Sequence, residues 1–127
     1  MTRCAVLVSI FTATLTPPGY AAADPAQIGQ TAKGPTLVDG KGMTVYTFDK
    51  DPAGKSVCNG NCAKNWPPLA ANSGDKGTNG YSVVVRDDGS WQWAYKGKPL
   101  YTWIKDKKPG DTTGDGFLNG AWHAATP

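Results

Sequence analysis

The chain has 127 residues, in which 13 Lys and Arg stand against 10 acidic side chains, all of them Asp, for a net charge of +3 at neutral pH. That balance is too slight for the electrostatic footprint of a nucleic-acid-binding domain, and the length leaves room for one domain, not two, behind any leader. Glu is absent while Gly, Thr, Val, Trp and Tyr are prominent, a composition poor in helix formers and rich in strand and turn formers that predicts an all-β fold.

Residues 1–23 read as a cleavable signal peptide. Arg3 supplies a positive start, Cys4 to Leu15 form a short apolar run, Pro17, Pro18 and Gly19 break it, and Ala21, Ala22 and Ala23 offer a small-residue cleavage site. The run falls short of the ~20 apolar residues a bilayer-spanning helix needs, so the mature chain is expected to carry no transmembrane segment. A lipid-accepting cysteine would end the apolar run, whereas Cys4 begins it. An unanchored protein, periplasmic or secreted, is therefore expected. Residues 24–35 follow as a leader, either mobile or a first edge strand, and 36–127 as one β-rich domain.

Within that domain TLVDGKGMTVYTF (36–48) and WQWAYKGKPLYTW (91–103) align at a constant spacing, each an extended run, a Lys-Gly turn and a second extended run ending Tyr-Thr-aromatic. The match continues through Asp51 and Asp106 to Trp66 and Trp122, which predicts a duplicated unit, copy one at about 36–69 and copy two at about 91–124. In a strand, Tyr46 and Phe48 share a face, as do Tyr101 and Trp103, so each copy presents an aromatic pair to a common core. Asp51 and Asp106 stand where each strand should stop, able to accept backbone N–H bonds in an Asx turn. These eight residues read as structural: a small antiparallel domain of two related hairpins, with few or no helices.

Within copy one, Cys58 and Cys62 flank Asn59-Gly60-Asn61 and are expected to form a local disulfide in an oxidising compartment. Trp66-Pro67-Pro68-Leu69 reads as an extended segment laying Trp66 across the core, since two prolines without N–H groups disfavour a central strand. Residues 70–79 read as a polar loop. Between the copies, SVVVRDDGSWQWAY (82–95) is the clearest hairpin signal, with its turn at Asp87 to Ser90.

The segments YTFDKD, YTWIKD, CNGNCAKNWPPL (58–69) and PGDTTGDGFLNGAWH (109–123) carry a resemblance. The sequence resembles a family of small exported bacterial proteins, many of them predicted lipoproteins, known as secreted repeats of unknown function and marked by a repeated Tyr-x-aromatic-x-x-Asp motif. The resemblance implies an exported, β-rich, repeat-built domain and implies no reaction.

The residues themselves offer little for catalysis. There is one His, no Glu, no nucleophile elbow and no phosphate loop ahead of a helix, so no enzyme activity and no cofactor are expected. Asp111, Thr113, Asp115 and Asn119 partly imitate the oxygen spacing of a calcium loop, but Trp122 stands where a bidentate carboxylate belongs. The favoured reading is a binding module for an envelope protein or a small ligand, using exposed Trp91, Trp93 and Trp103. The alternative is a periplasmic redox, metal or haem-handling protein using Cys58, Cys62 and His123, which requires His123 beside the cysteines and a free or low-pKa thiol.

Overall fold

The computed structural model describes residues 24–127, so the expected signal peptide lies outside the described residues. Strands β1 (Gln27–Thr31) and β2 (Gly34–Val38) form a first hairpin, and β3 (Tyr46–Phe48) follows. A short helix α1 (Asn61–Asn65) leads to β4 (Ala70–Ala71), then to a second hairpin of β5 (Tyr81–Val85) and β6 (Trp91–Tyr95). The chain continues through β7 (Lys98–Pro99), a single irregular helical turn α2 (Phe117–Gly120) and β8 (Trp122–Ala124). Every sheet pairing is antiparallel, and among the described residues no helix is long and apolar enough to cross a membrane.

The duplication is visible in matched hydrogen bonds. Val45 donates its N–H to Leu37 and, in the second copy, Leu100 donates to Trp93. Leu37 in turn bonds the carbonyl of Ala125, from the end of copy two, while Trp93 bonds the carbonyl of Leu69, from the end of copy one. Each copy thus lends its final extended segment to the other's sheet. At the centre Tyr46 and Tyr101 exchange both backbone bonds, at 2.7 and 2.9 Å, across an approximate two-fold. Neither copy can satisfy its backbone alone, which welds two weak repeats into one cooperative domain.

Four rings build the first core along the same two-fold. Trp66 and Trp122 stack at 3.8 Å with planes 3° apart, Phe48 caps Trp122 at 4.2 Å, and Trp103 caps Trp66 at 4.0 Å. Tyr46 meets Trp66 edge-on and Tyr101 meets Trp122 likewise, the geometry that aligns a ring's positive edge with a negative face. Close approach to this stack explains one glycine: a Cβ on Gly114 would come within 2.5 Å of the Trp66 ring. A second core gathers Ala26, Leu37, Val45, Tyr81, Leu100 and Ala125.

Several sequence expectations change at this level. The segment 24–35 is integral, because β1 and the start of β2 lie within it and Ala26 is buried. The 82–95 hairpin does not lie between the copies; it is the second copy's counterpart of β1 and β2. Copy one also carries an extra residue on entering its Lys-Gly turn, so the hydrogen bonds match Trp93 with Leu37 and not with Val38. Ala70 and Ala71, read as loop, form an edge strand on β6, which needs no apolar periodicity. The Pro67-Pro68 segment does join a sheet, through the carbonyl of Pro67, which accepts from Thr102, and through both backbone groups of Leu69. The missing proline donors are not called upon.

Candidate functional site

The residues singled out as structural form two reciprocal latches. The Tyr46 hydroxyl donates to Asp106 Oδ2 at 2.7 Å, and the Tyr101 hydroxyl donates to Asp51 Oδ2, so each tyrosine is held by the other copy's aspartate. The second oxygen of each carboxylate gathers a loop: Asp51 Oδ1 accepts from the Val57 amide, and Asp106 Oδ1 from the amide and hydroxyl of Thr113. The aspartates therefore span wider loops than an Asx turn and also join the copies. Burial, reinforced by the adjacent carboxylate, pushes both tyrosine hydroxyls well above their ordinary value of 10.0. Both rings are fully buried, which leaves these hydroxyls a structural part.

Cys58 and Cys62 are joined in a disulfide, with Cα atoms 5.2 Å apart, and Cys58 is packed into the ring core. His123 lies on β8, exposed, with Nε2 2.7 Å from Asp49 Oδ2. Neither feature supplies the free thiol beside a histidine that the redox or metal reading requires. The calcium-loop oxygens diverge: Asp111 accepts from the amides of Lys107 and Lys108, Thr113 bonds Asp106, and Asp115 accepts from the Ala124 amide and pairs with Lys33 at 3.3 Å. Asn119 sits in the strained α2 turn at φ 56°. Among the described residues no cluster of three or more His, Cys or Asp side chains is placed to hold a metal ion.

The proposed aromatic surface does not form as expected. Trp103 is buried because it ends the ring stack against Trp66, and only Trp91 and Trp93 remain, both half-buried. Trp93 packs against the second core.

A cleft of about 560 Å³ lies elsewhere, where β3 and β8 of one sheet face the β6–β7 turn. Thr36, Thr47 and Asp49 reach it from copy one, and Tyr95, Lys96, Lys98 and His123 from copy two. Internal comparison shows why this cleft is open. Thr31 and Thr36 of copy one share a hydroxyl bond of 2.9 Å, and their counterparts are Arg86 and Gln92, bonded at 2.7 Å. The long Arg86 side chain is buried and donates to Ser56 Oγ, to the Cys58 carbonyl and to Asn59. It fills in copy two what the small threonines leave vacant in copy one. Across the same relation His123 is matched by Pro67, Asp49 by Ile104 and Lys33 by Asp88, while Thr47 and Lys96 recur as Thr102 and Lys41, so the matched recess opposite is smaller, about 210 Å³, and differently charged.

The comparisons with known proteins bear on these two faces. A family model described as a secreted repeat of unknown function matches the chain twice, over residues 27–70 and 82–126. The chain belongs to that family. The family's two matched spans begin earlier than the repeats read from sequence, at β1 and in β5, and so agree with the copies defined by the hydrogen bonds. The secreted character of the family makes this an exported protein. No curated protein and no solved structure matches the chain.

The cleft residues escaped the sequence reading because Lys33 and Lys98 belong to no motif, while Tyr95 and Lys96 are accounted for by a hairpin and by the repeated Lys-Gly turn. The signal for Lys33, Asp49, Lys98 and His123 lies in the copies' differences: positions that the fold needs repeat, and positions that depart from the repeat are free to serve a site.

Proposed function

We propose that this exported protein is a non-enzymatic binding module of the envelope or extracellular space, and that its ligand lies in the cleft between β3, β8 and the β6–β7 turn. One observation carries the reading: this cleft of about 560 Å³ sits where the two copies differ, whereas the matched region opposite holds a smaller recess of about 210 Å³ lined by Lys41, Thr102 and Ile104 and carries Arg86 and Gln92 where this face has Thr31 and Thr36. A cavity of about 560 Å³ is of the size that holds a small solute, and its walls combine an aromatic ring with polar groups on rigid strands. The lining offers no activated nucleophile, so binding and release suffice to describe what it does.

The test is amide-resolved NMR of the isotope-labelled protein recovered after export, titrated with a panel of small organic anions, cations, amino acids and sugars. The reading expects saturable shifts gathered on Thr47, Asp49, Tyr95 to Lys98 and His123. A panel that moves only residues outside the cleft, or none, would overturn it.

A further inference from the structure

We infer that the Cys58–Cys62 disulfide is a redox clasp on Arg86: the bond holds the Cys58 carbonyl out to the buried guanidinium, and its reduction releases Arg86 from its site and loosens the second hairpin, β5 with β6. Arg86 is only 5% exposed, and its hydrogen-bond acceptors are all neutral. Three of the four lie in the disulfide loop or on its approach: Ser56 Oγ at 2.9 Å, the Cys58 carbonyl at 2.6 Å and Asn59 Oδ1 at 3.4 Å. The fourth is Gln92 Oε1 at 2.7 Å. Asn59 also donates to Asp87, and Lys55 pairs with the same carboxylate at 2.7 Å, so the loop grips the turn of the hairpin. A buried guanidinium bonded only to neutral groups is costly to leave short of one.

The second copy shows what the disulfide does for that carbonyl. The amides of Val57 and Thr113, each bonded to its own copy's aspartate, and the stacked Trp66 and Trp122 set Gly114 and Leu118 against Cys58 and Cys62. In copy two the turn closes through its backbone, with the Gly114 carbonyl accepting from the Phe117 N–H at 3.1 Å. In copy one a covalent bond closes the turn, and the matching carbonyl of Cys58 serves Arg86. Once that bond opens, the Asn61 N–H, counterpart of Phe117, takes the Cys58 carbonyl, and Arg86 loses its shortest hydrogen bond. Cys58 is fully buried and Cys62 half-buried, so a dithiol enters at Cys62. Its thiolate attacks Cys62 Sγ, the S–S bond breaks, and Cys58 leaves as a thiolate that takes up a proton. The second thiol of the reductant then displaces Cys62, which leaves as a thiol while the reductant departs as a disulfide.

Urea unfolding of the protein recovered after export, with and without dithiothreitol, in wild type and in Arg86→Met, separates a clasp from an ordinary staple. Closing so short a loop is worth about thirtyfold in the folding equilibrium, and that part of the loss on reduction is common to both proteins. Wild type should lose about tenfold more than the variant, the size of one charged hydrogen bond in a buried site. Equal losses would overturn the inference. So would a reduced wild type that is unfolded without urea, since the bond would then hold the whole domain and not one side chain. Should Arg86→Met not fold, hydrogen exchange on the wild type decides. Reduction should speed exchange of the Arg86 guanidinium protons and of the amides of residues 84–92 by about tenfold or more, and leave residues 34–38 unchanged. Exchange that stays slow at Arg86, or that rises equally in both hairpins, would show that the disulfide does not act through this side chain.

Discussion

The two copies apply one scaffold to opposite faces, and one face stays more open than the other, with a cleft of about 560 Å³ against one of about 210 Å³. On the more open side Thr31 and Thr36 bond each other across a short distance, and Thr36 lines the cleft; on the other side the longer Arg86 and Gln92 take their places, and Arg86 bonds the disulfide loop. The contrast separates what folding requires from what it permits. Tyr46 and Tyr101, Asp51 and Asp106, Trp66 and Trp122 recur because each half of the molecule is completed by the other, so none can change alone without stranding its partner. The threonines, Arg86, His123 and Pro67 are under no such mutual constraint. Duplication thus gave the chain a symmetric frame and two unequal faces.

The frame can be broken most severely at its centre. Trp66→Ala and Trp122→Ala should each cost about 3 to 5 kcal/mol in urea unfolding, the range for deleting a large buried aromatic. The two losses should be similar, since each ring stacks on the other and receives one tyrosine edge. A loss under about 1 kcal/mol at either position would show that the stack is an accessory and not the core.

Next comes the asymmetric face. Arg86→Thr places in copy two the residue found in copy one, and it should cost about 3 kcal/mol, because the Cys58 carbonyl and Gln92 Oε1 lose a charged donor in a buried site. Thr31→Ala, at the matched position, should cost about 1 kcal/mol, since it removes only neutral bonds, to Thr36, the Gly34 carbonyl and the Lys33 amide, from a half-buried side chain whose partners can reach water. Equal costs would contradict the claim that the faces differ in how they are filled.

How far such features are legible in the sequence depends on whether they repeat. The all-β class, the disulfide, the aromatic pairs and the two tyrosines could be read because period-two aromatics and a shared spacing leave a trace along the chain. The cross-copy latch could not be read: Tyr46 and Asp106 are far apart in sequence, and a local Asx turn explains the same Asp equally well. Trp103 was read as exposed for a similar reason, since alternation assigns a face but does not say that Trp66 will cover it. Arg86 was invisible because its partners are a carbonyl and neutral side chains, not a carboxylate that sequence could pair with it. The cleft was hidden furthest, being defined by small residues at positions where the other copy has large ones.

The latches distinguish the copies more finely. Tyr46→Phe strands two groups, the buried Asp106 carboxylate and the Gly114 amide that bonds the hydroxyl. Tyr101→Phe leaves Asp51 half-exposed and Ser56 still bonded by Arg86. The first should therefore cost about 2 to 3 kcal/mol and the second about 1 to 2 kcal/mol, by chemical denaturation at neutral pH. The reverse order would mean that the Tyr101, Ser56 and Arg86 network carries more of the junction than its exposure indicates.

The smallest effect is a change with pH, and it tests whether burial or the Arg86 charge dominates at Asp51. Burial raises this carboxyl above its ordinary 3.8, outweighing the lowering by hydrogen bonds from Tyr101 and Val57 and by the Arg86 charge. A group whose value is raised on folding contributes stability that is complete below its unfolded value and is lost as pH rises through the folded one. Asn at this position does not titrate. Wild type should thus exceed D51N in melting temperature by most below the ordinary carboxyl value of 3.8, and the gap should shrink as pH rises above it and then level off. Asp87, Asp88 and Asp111, whose values are lowered by their hydrogen bonds, act in the opposite direction, but they are common to both proteins and cancel in the difference. A gap that widens with rising pH would show the carboxylate held ionised by Arg86. The guanidinium that closes this face would then also be the charge that secures its latch, and the asymmetry between the copies would extend into the frame itself.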